Sequence, residues 1–164
     1  KGLEVIEAHH LFNMDYDDIK VVIHPQSLVH SFVEFIDGSM LAQVGFPSMH
    51  IPIQYALTYP ERKKGIKTDG FSLFGQQMSF DRPDFKKFPC LKMAYDAGRA
   101  GGSAPVVLNA ANEVAVNNFL EGKINFLDIE KTVEKALSAH SVISNPSLDE
   151  IFEIDIETRK KYGA

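Results

Sequence analysis

The chain has 164 residues, of which 45% are hydrophobic and 24% charged, so it can form one ordinary domain or two small ones. A formal net charge of −5 argues against a broad nucleic-acid-binding surface, and no apolar run is long enough to cross a membrane. The single cysteine, Cys90, excludes a disulfide within the chain and fits a reducing compartment. Its apolar surroundings in the sequence predict a buried structural thiol rather than a catalytic one.

The first fourteen residues predict a helix with two different faces. The apolar face contains Leu3, Ile6 and Leu11, and the charged face contains Lys1, Glu4 and Glu7. The chain enters this helix at once, without an initiator methionine, which raises the question of what precedes it.

A short strand and a hairpin follow the first helix. The β-branched run at residues 19–25 predicts the strand, and Asp37-Gly38 between two alternating runs predicts a hairpin with a type I′ turn. Both faces of the hairpin carry apolar residues. We therefore expect it to be covered on both sides, by helices or by a partner chain.

The middle of the chain predicts one short helix and then a linker. Pro52 lies near the first turn of this helix, which must end before Pro60. Residues 60–85 contain several glycines and little periodicity, as linkers do. Their phenylalanines, Phe71 among them, indicate that the linker packs on other parts of the protein.

From Pro89 onward the pattern predicts four helices with short connections, which is typical of a bundle. Pro105 marks one helix start, and Ser147 with Glu150 predicts a capping box at another. The glycine-rich residues 98–102 follow a helix and lack the dinucleotide-binding spacing, so they predict a helix C-terminus. The predicted fold class is α+β.

Three predicted segments make up this fold. Residues 1–59 form part of an α/β domain, residues 60–85 the linker, and residues 86–164 the four-helix bundle.

Glu4 and Glu7 are the most suggestive acidic residues, because side chains three apart are neighbours on a helix and like charges repel there. A divalent cation would compensate this repulsion. Lys1, one turn before Glu4, could bind a phosphate or simply pair with Glu4 on a solvated surface. The residues alone leave both interpretations open.

The histidines indicate a metal site only weakly. His9 and His10 are adjacent and point about 100° apart on a helix. His24 and His30 would share one face of a regular strand, but Pro25 interrupts such a strand. The spacing H-E-x-x-H is absent from the sequence.

Four motifs, in the same order, resemble the 1-deoxy-D-xylulose-5-phosphate reductoisomerase family over essentially the whole chain. They are KGLEVIEAHHLF, VIHPQSLVHSFVEFIDGSMLAQVGFPSM, PIQYALTYPER and LNAANEVAVNNFL. Members of this family are more than twice as long and begin with an NADPH-binding Rossmann-type domain. A catalytic α/β domain, a linker and a C-terminal helical bundle follow it. The resemblance covers the last part, starting inside the family's N-K-G-L-E motif, so we expect a piece of a longer protein.

The resemblance also implies an activity. The family rearranges 1-deoxy-D-xylulose 5-phosphate with the help of Mg²⁺ or Mn²⁺, then reduces the aldehyde with NADPH to 2-C-methyl-D-erythritol 4-phosphate, in non-mevalonate isoprenoid biosynthesis. It implies a homodimer, in the cytoplasm if bacterial and in a plastid-type organelle if eukaryotic. The alternative is that the isolated piece is only a scaffold or dimerisation module without catalysis.

Five residues match positions with family roles. The resemblance makes Glu4 the third metal carboxylate and therefore a catalytic residue, and Lys1 a substrate- and phosphate-binding residue. It places His30 in the lining of the catalytic and substrate-binding site. Pro47 and Met49 match a segment near the nicotinamide of the cofactor. No role follows for three further residues, Glu7, His24 and Asn112.

Overall fold

A computed structural model describes residues 1–65 and 72–163. Part of the predicted linker, including Phe71, lies outside these residues. The described residues form six helices and one two-stranded antiparallel sheet, which confirms the α+β class. The elements are α1 (Gly2–Phe12), β1 (Val29–Glu34), β2 (Met40–Val44), α2 (His50–Thr58), α3 (Pro89–Ala100), α4 (Ala104–Leu120), α5 (Phe126–Ser138) and α6 (Leu148–Tyr162).

The chain divides into two compact units. The helical unit contains Lys1–Val21 and Pro83–Ala164, and the hairpin unit contains Val22–Arg82. This division differs from the predicted segments 1–59, 60–85 and 86–164. Those segments refer to the domains of a longer protein, and their boundaries stay a prediction.

The helical unit contains the predicted four-helix bundle. Helix α4 packs against α3, α5 and α6, and α1 packs against α3. Small side chains allow α4 to occupy the centre, since Ala110, Ala111 and Ala115 are fully buried. Val107 and Val133 complete the core. In the described part of the chain, no helix is both long enough and apolar enough to cross a membrane.

The helix ends of the bundle follow the sequence signals. At α6, the Ser147 amide donates to Glu150 Oε2 at 2.7 Å and the Glu150 amide donates to Ser147 Oγ at 3.3 Å, which confirms the capping box. Helix α3 ends at Gly101, whose φ of +66° suits glycine and whose amide donates to the Ala97 carbonyl. The glycine-rich residues therefore form a helix C-terminus, as predicted.

The buried face of α1 differs from the predicted one. Val5 and Ile6 are buried, whereas Leu3 is partly exposed and Leu11 is 75% exposed. Within its unit α1 packs mainly against one helix, α3, so its buried stripe is narrow. Of the three residues on the predicted apolar face, only Ile6 is therefore buried.

The predicted strand at residues 19–25 is wrong. Among the described residues, only Ile23 in this run pairs with another backbone segment, in an isolated antiparallel bridge with Asp81. The Ile23 and Asp81 amides each donate to the other's carbonyl at 2.9 Å. Pro25 has no amide proton and cannot extend the ladder.

The hairpin is confirmed, but its turn type is not. Gly38 has a φ of +81°, whereas Asp37 does not have the positive φ that a type I′ turn requires. The Gly38 amide donates to the Phe35 carbonyl at 2.9 Å, and the Phe35 amide donates to the Ser39 carbonyl at 2.8 Å. Asp37 Oδ1 accepts from the Ser39 amide and hydroxyl, at 2.9 and 2.6 Å, which fixes a three-residue loop.

Both faces of the hairpin are exposed in this structure. The cross-strand partners Val33 and Leu41 are 56% and 65% exposed, and Phe35 is also exposed. Helix α2 has no buried residue. Within the hairpin unit, the described residues therefore leave both faces of the hairpin exposed.

Candidate functional site

The first turn of α1 presents a lysine–carboxylate pair to solvent. Lys1 Nζ donates to Glu4 Oε2 at 2.6 Å, and both side chains are more than half exposed. This hydrogen bond, opposed by partial burial, holds the pKa of the Glu4 carboxyl below its usual value. The buried side chains of Val5 and Ile6 fix the opposite side of the helix. Glu4 is therefore ionised and accessible to solvent, on a helix whose opposite side is held by buried side chains.

The ion pair bears on the two interpretations of Glu4. Lys1 compensates its charge in this structure, while Glu7 is exposed one turn later. A carboxylate is the oxygen ligand that Mg²⁺ and Mn²⁺ prefer, so Glu4 fits a metal ligand chemically. The described residues contain no group of three or more His, Cys, Asp and Glu side chains that could hold an ion. As a metal ligand, Glu4 would therefore need further ligands from outside the described residues.

His30 lies at an irregularity of the hairpin that the sequence did not signal. Val29 pairs with Val44 and Ser31 pairs with Gln43, so β1 has one extra residue, which is His30. Such a bulge redirects a side chain and is common beside active sites. His30 Nε2 lies 3.0 Å from the Gly45 carbonyl oxygen. The carbonyl can only accept, so Nε2 carries the proton, and the ring is tied to the segment that follows β2.

Pro47 and Met49 lie in the short connection between β2 and α2. Met49 is the N-cap residue of α2 and is 69% exposed. Beside it, Ser48 Oγ accepts from the His50 amide at 3.3 Å and lies 3.1 Å from His50 Nδ1. The structure therefore brings His30 next to the beginning of this connection through Gly45, and leaves the Met49 side chain accessible.

Two of the other histidines, His9 and His24, each make one hydrogen bond to a backbone carbonyl. His24 Nδ1 donates to the Ser79 carbonyl at 2.9 Å and its ring stacks on Phe80. His9 Nδ1 donates to the Met14 carbonyl at 2.6 Å and its ring stacks on Tyr16. These bonds hold chain segments together and do not bring the histidines to one point.

Cys90 is partly buried near the start of α3. Burial, followed by the nearby Glu130 carboxylate, raises the pKa of its thiol. A raised pKa disfavours the reactive thiolate, which supports the predicted structural role.

The two units divide the predicted site residues between them. Lys1 and Glu4 belong to the helical unit, and His30, Pro47 and Met49 belong to the hairpin unit. The fold is that of an α+β protein with a helical domain, and each unit presents part of the predicted site: an ammonium and a carboxylate in the helical unit, and an imidazole in the hairpin unit.

Comparison with known proteins shows the family to which the chain belongs. A family model described as the DXP reductoisomerase C-terminal domain matches residues 44–161. The 1-deoxy-D-xylulose 5-phosphate reductoisomerase of Shouchella clausii is 54% identical over 165 residues, covering all of this chain and 44% of that protein. The protein of the same name from Caldanaerobacter subterraneus subsp. tengcongensis is 55% identical over 163 residues, covering 98% of this chain and 42% of that protein. The chain therefore belongs to the 1-deoxy-D-xylulose 5-phosphate reductoisomerase family.

Solved structures agree in sequence and fold. The reductoisomerase from Zymomonas mobilis in complex with NADPH has a TM-score of 0.91 and 44% identity, covering 99% of this chain and 43% of that one. A DOX-P reductoisomerase in complex with NADPH, fosmidomycin and magnesium has a TM-score of 0.91 and 43% identity, covering 98% of this chain and 42% of that one. The chain spans less than half the length of the proteins it matches, and its fold is that of a partial α/β domain followed by a helical C-terminal domain.

Proposed function

We propose that the chain forms the C-terminal part of an NADPH-dependent reductoisomerase that converts 1-deoxy-D-xylulose 5-phosphate to 2-C-methyl-D-erythritol 4-phosphate. The observation that carries the proposal is a match at 54% identity across the whole chain to a protein of that name. The placement of Lys1 and Glu4 on an exposed helix surface supports it. In this proposal, residues 1–59 complete a catalytic domain, 60–85 are the linker and 86–164 the helical domain.

We assign Glu4 as a ligand of a divalent cation. When bound, Mg²⁺ or Mn²⁺ polarises the oxygens of the keto-sugar as a Lewis acid. Glu4 contributes a carboxylate that stays ionised, because the Lys1 hydrogen bond lowers its pKa. Lys1 contributes a compact positive charge that attracts the substrate phosphate and orients the sugar. The crystal structure of a related enzyme with magnesium supports the choice of metal.

The hairpin unit supplies the other assigned residues. We assign His30 to the substrate side of the site, where the β-bulge redirects its ring and the Gly45 carbonyl holds its Nε2 proton. Pro47 and Met49 contribute an exposed apolar surface for the nicotinamide ring of NADPH. The NADPH complexes among the similar structures support this cofactor.

We further propose a homodimer in which a second copy covers the hairpin. The exposed apolar residues on both hairpin faces support this, because large exposed apolar patches mark interfaces. The named relatives are bacterial, which favours the cytoplasmic alternative of the predicted locations.

The isolated 164-residue chain should be inactive as an enzyme and act only as a scaffold, since it contributes one metal ligand. The intact mass of the natural protein tests this point first. A mass near 18.3 kDa would mean that the protein is this chain only and acts only as a scaffold. A mass more than twice as large would mean that the rest of the site is present in the same chain.

The assignment of Glu4 is tested in the full-length enzyme by comparing Glu4→Gln with Glu7→Gln. Removing a metal ligand should lower kcat/KM by about 100-fold or more and weaken Mn²⁺ binding. Glu7→Gln removes a similar exposed charge one turn away and should change activity by less than about threefold. NADPH oxidation measured against Mn²⁺ concentration separates the two. Equal losses in both variants would overturn the role of Glu4.

A further inference from the structure

Helix α1 meets α3 at a residue that has no side chain. Gly2 faces Ala94, and a Cβ atom placed on Gly2 would lie far inside van der Waals contact with Ala94 Cβ. Ala94 is 2% exposed and belongs to the hydrophobic core, so it has no room to move away. The closeness of the two helices at this point therefore depends on glycine.

The same turn of α1 carries the two assigned ligand-binding groups. Gly2 lies between Lys1 and Glu4, which pair on the exposed side. Gly2, Val5 and Ile6 follow the spacing of one helix face, and this face is turned toward the core of the helical unit. The distance of this turn from α3 consequently sets where the Lys1 ammonium and the Glu4 carboxylate lie.

We propose that Gly2 is a positioning residue: its contact with Ala94 holds the first turn of α1 against α3 and thereby places Glu4 and Lys1 for metal and phosphate. This rests on the proposed function of Glu4 and Lys1. A methyl group on Gly2 would displace the turn by about 1 Å to reach ordinary carbon–carbon contact. A displacement of that size is enough to reduce catalysis by about 100-fold.

For Gly2→Ala, helix propensity alone predicts no loss of activity, so this variant distinguishes an ordinary helical position from a positioning residue. Alanine is a better helix former than glycine and restricts the unfolded chain. If Gly2 were only an ordinary helical position, Gly2→Ala would leave activity unchanged or raise stability. If it is a positioning residue, the same variant loses Mn²⁺ affinity and activity while the protein remains folded.

The structure offers a compensating variant. The next atoms that a Gly2 Cβ would meet are the Cys90 carbonyl oxygen at 3.8 Å and Ala94 Cα at 3.9 Å, both at ordinary contact distance. Ala94→Gly therefore removes the obstacle. Gly2→Ala combined with Ala94→Gly should restore the position of α1, although glycine within α3 lowers thermal stability.

The experiment compares full-length wild type, Gly2→Ala, Ala94→Gly and the double variant. Mn²⁺ binding is measured by electron paramagnetic resonance of the free ion, and kcat/KM by NADPH oxidation. We expect a 10- to 100-fold loss in both for Gly2→Ala, as about 1 Å of misplacement implies, and recovery to within about threefold of Ala94→Gly in the double variant. Unchanged Mn²⁺ affinity in Gly2→Ala, or a loss that Ala94→Gly does not rescue, would overturn the proposal.

The two proposals fail in different ways. A wild-type enzyme that binds Mn²⁺ but does not oxidise NADPH with 1-deoxy-D-xylulose 5-phosphate contradicts the proposed function. The Mn²⁺ titrations of the four proteins then still decide the role of Gly2, because they require no substrate. Far-ultraviolet circular dichroism of each variant shows whether a loss comes from unfolding, which would also overturn the positioning role.

Discussion

The helical unit buries its apolar side chains against one another, whereas the hairpin unit leaves most of its own exposed. In the helical unit, Val107, Leu108 and Val133 are almost completely buried. In the hairpin unit, Leu28 is the only hydrophobic residue among the described ones that is buried, and it is still 8% exposed. Both units have ordinary secondary structure, so the difference lies in packing.

This difference separates stability from assembly. Burying a leucine or valine contributes about 1.5–3 kcal/mol, so a closed core such as that around α4 can hold its own unit together. A two-stranded hairpin with exposed faces is at best marginally stable on its own and needs a covering surface. We therefore expect substitutions in the helical unit to change unfolding, and substitutions in the hairpin unit to change association.

The largest expected effect is on the core of the helical unit. Leu108→Ala removes a side chain that is only 4% exposed and should lower the free energy of unfolding by about 2–5 kcal/mol. Leu41→Ala, in β2, is the matched control and should change it by less than about 0.5 kcal/mol. Urea unfolding of the chain followed by helical circular dichroism measures both. Similar losses would mean that the hairpin shares the core.

A smaller effect is expected on association. Leu41→Asp places a charge in the exposed hairpin surface and should weaken the proposed homodimer by about 2 kcal/mol, or roughly 30-fold in Kd. Leu120→Asp introduces the same charge at a similarly exposed leucine at the end of α4, 73% exposed against 65% for Leu41, and should leave the dimer unchanged. Sedimentation of the full-length protein measures both. A dimer that dissociates only with Leu120→Asp would move the interface to the helical unit.

Local features of the fold were predictable from sequence, and features that depend on distant contacts were not. The capping box at Ser147 and the helix end at Gly101 arise from residues within one turn of each other, so short patterns predict them. The burial of Val5 rather than Leu11 depends on where α3 lies. The periodicity of the α1 sequence carries no information about the position of α3. The bulge at His30 depends on the pairing register of two strands.

The candidate site shows the same division. Periodicity placed Glu4 and Lys1 side by side, and the structure confirms that they pair. It offered no reason to prefer a metal over a solvated ion pair, and the family resemblance supplied that preference. The contact of Gly2 with Ala94 joins residues on two helices far apart in the chain, and no short pattern indicates it.

The smallest expected effect is a pH dependence at the start of α6. Glu150 Oε2 accepts hydrogen bonds from the Ser147 amide and hydroxyl, and these bonds hold the pKa of the Glu150 carboxyl below its usual value. A carboxyl with a lowered native pKa binds its proton less tightly when folded than when unfolded. Its contribution to stability is therefore complete above the unfolded value near 4.5 and is lost as pH falls through the lower native value.

Glu150→Gln tests this directly, because glutamine keeps the shape of the cap but does not titrate. The stability difference between wild type and Glu150→Gln should be present at pH 7 and should vanish once the pH has fallen well below 4.5, through the lowered native pKa. It should also be smaller than the loss from Ser147→Ala, which removes the capping hydroxyl and costs about 1 kcal/mol at pH 7. Glu153→Gln, on the same helix beyond its first turn, is the control. Glu150→Gln and Ser147→Ala both lie in the helical unit, so they should leave dimerisation unaltered. A pH-dependent change in association would contradict the separation of stability from assembly.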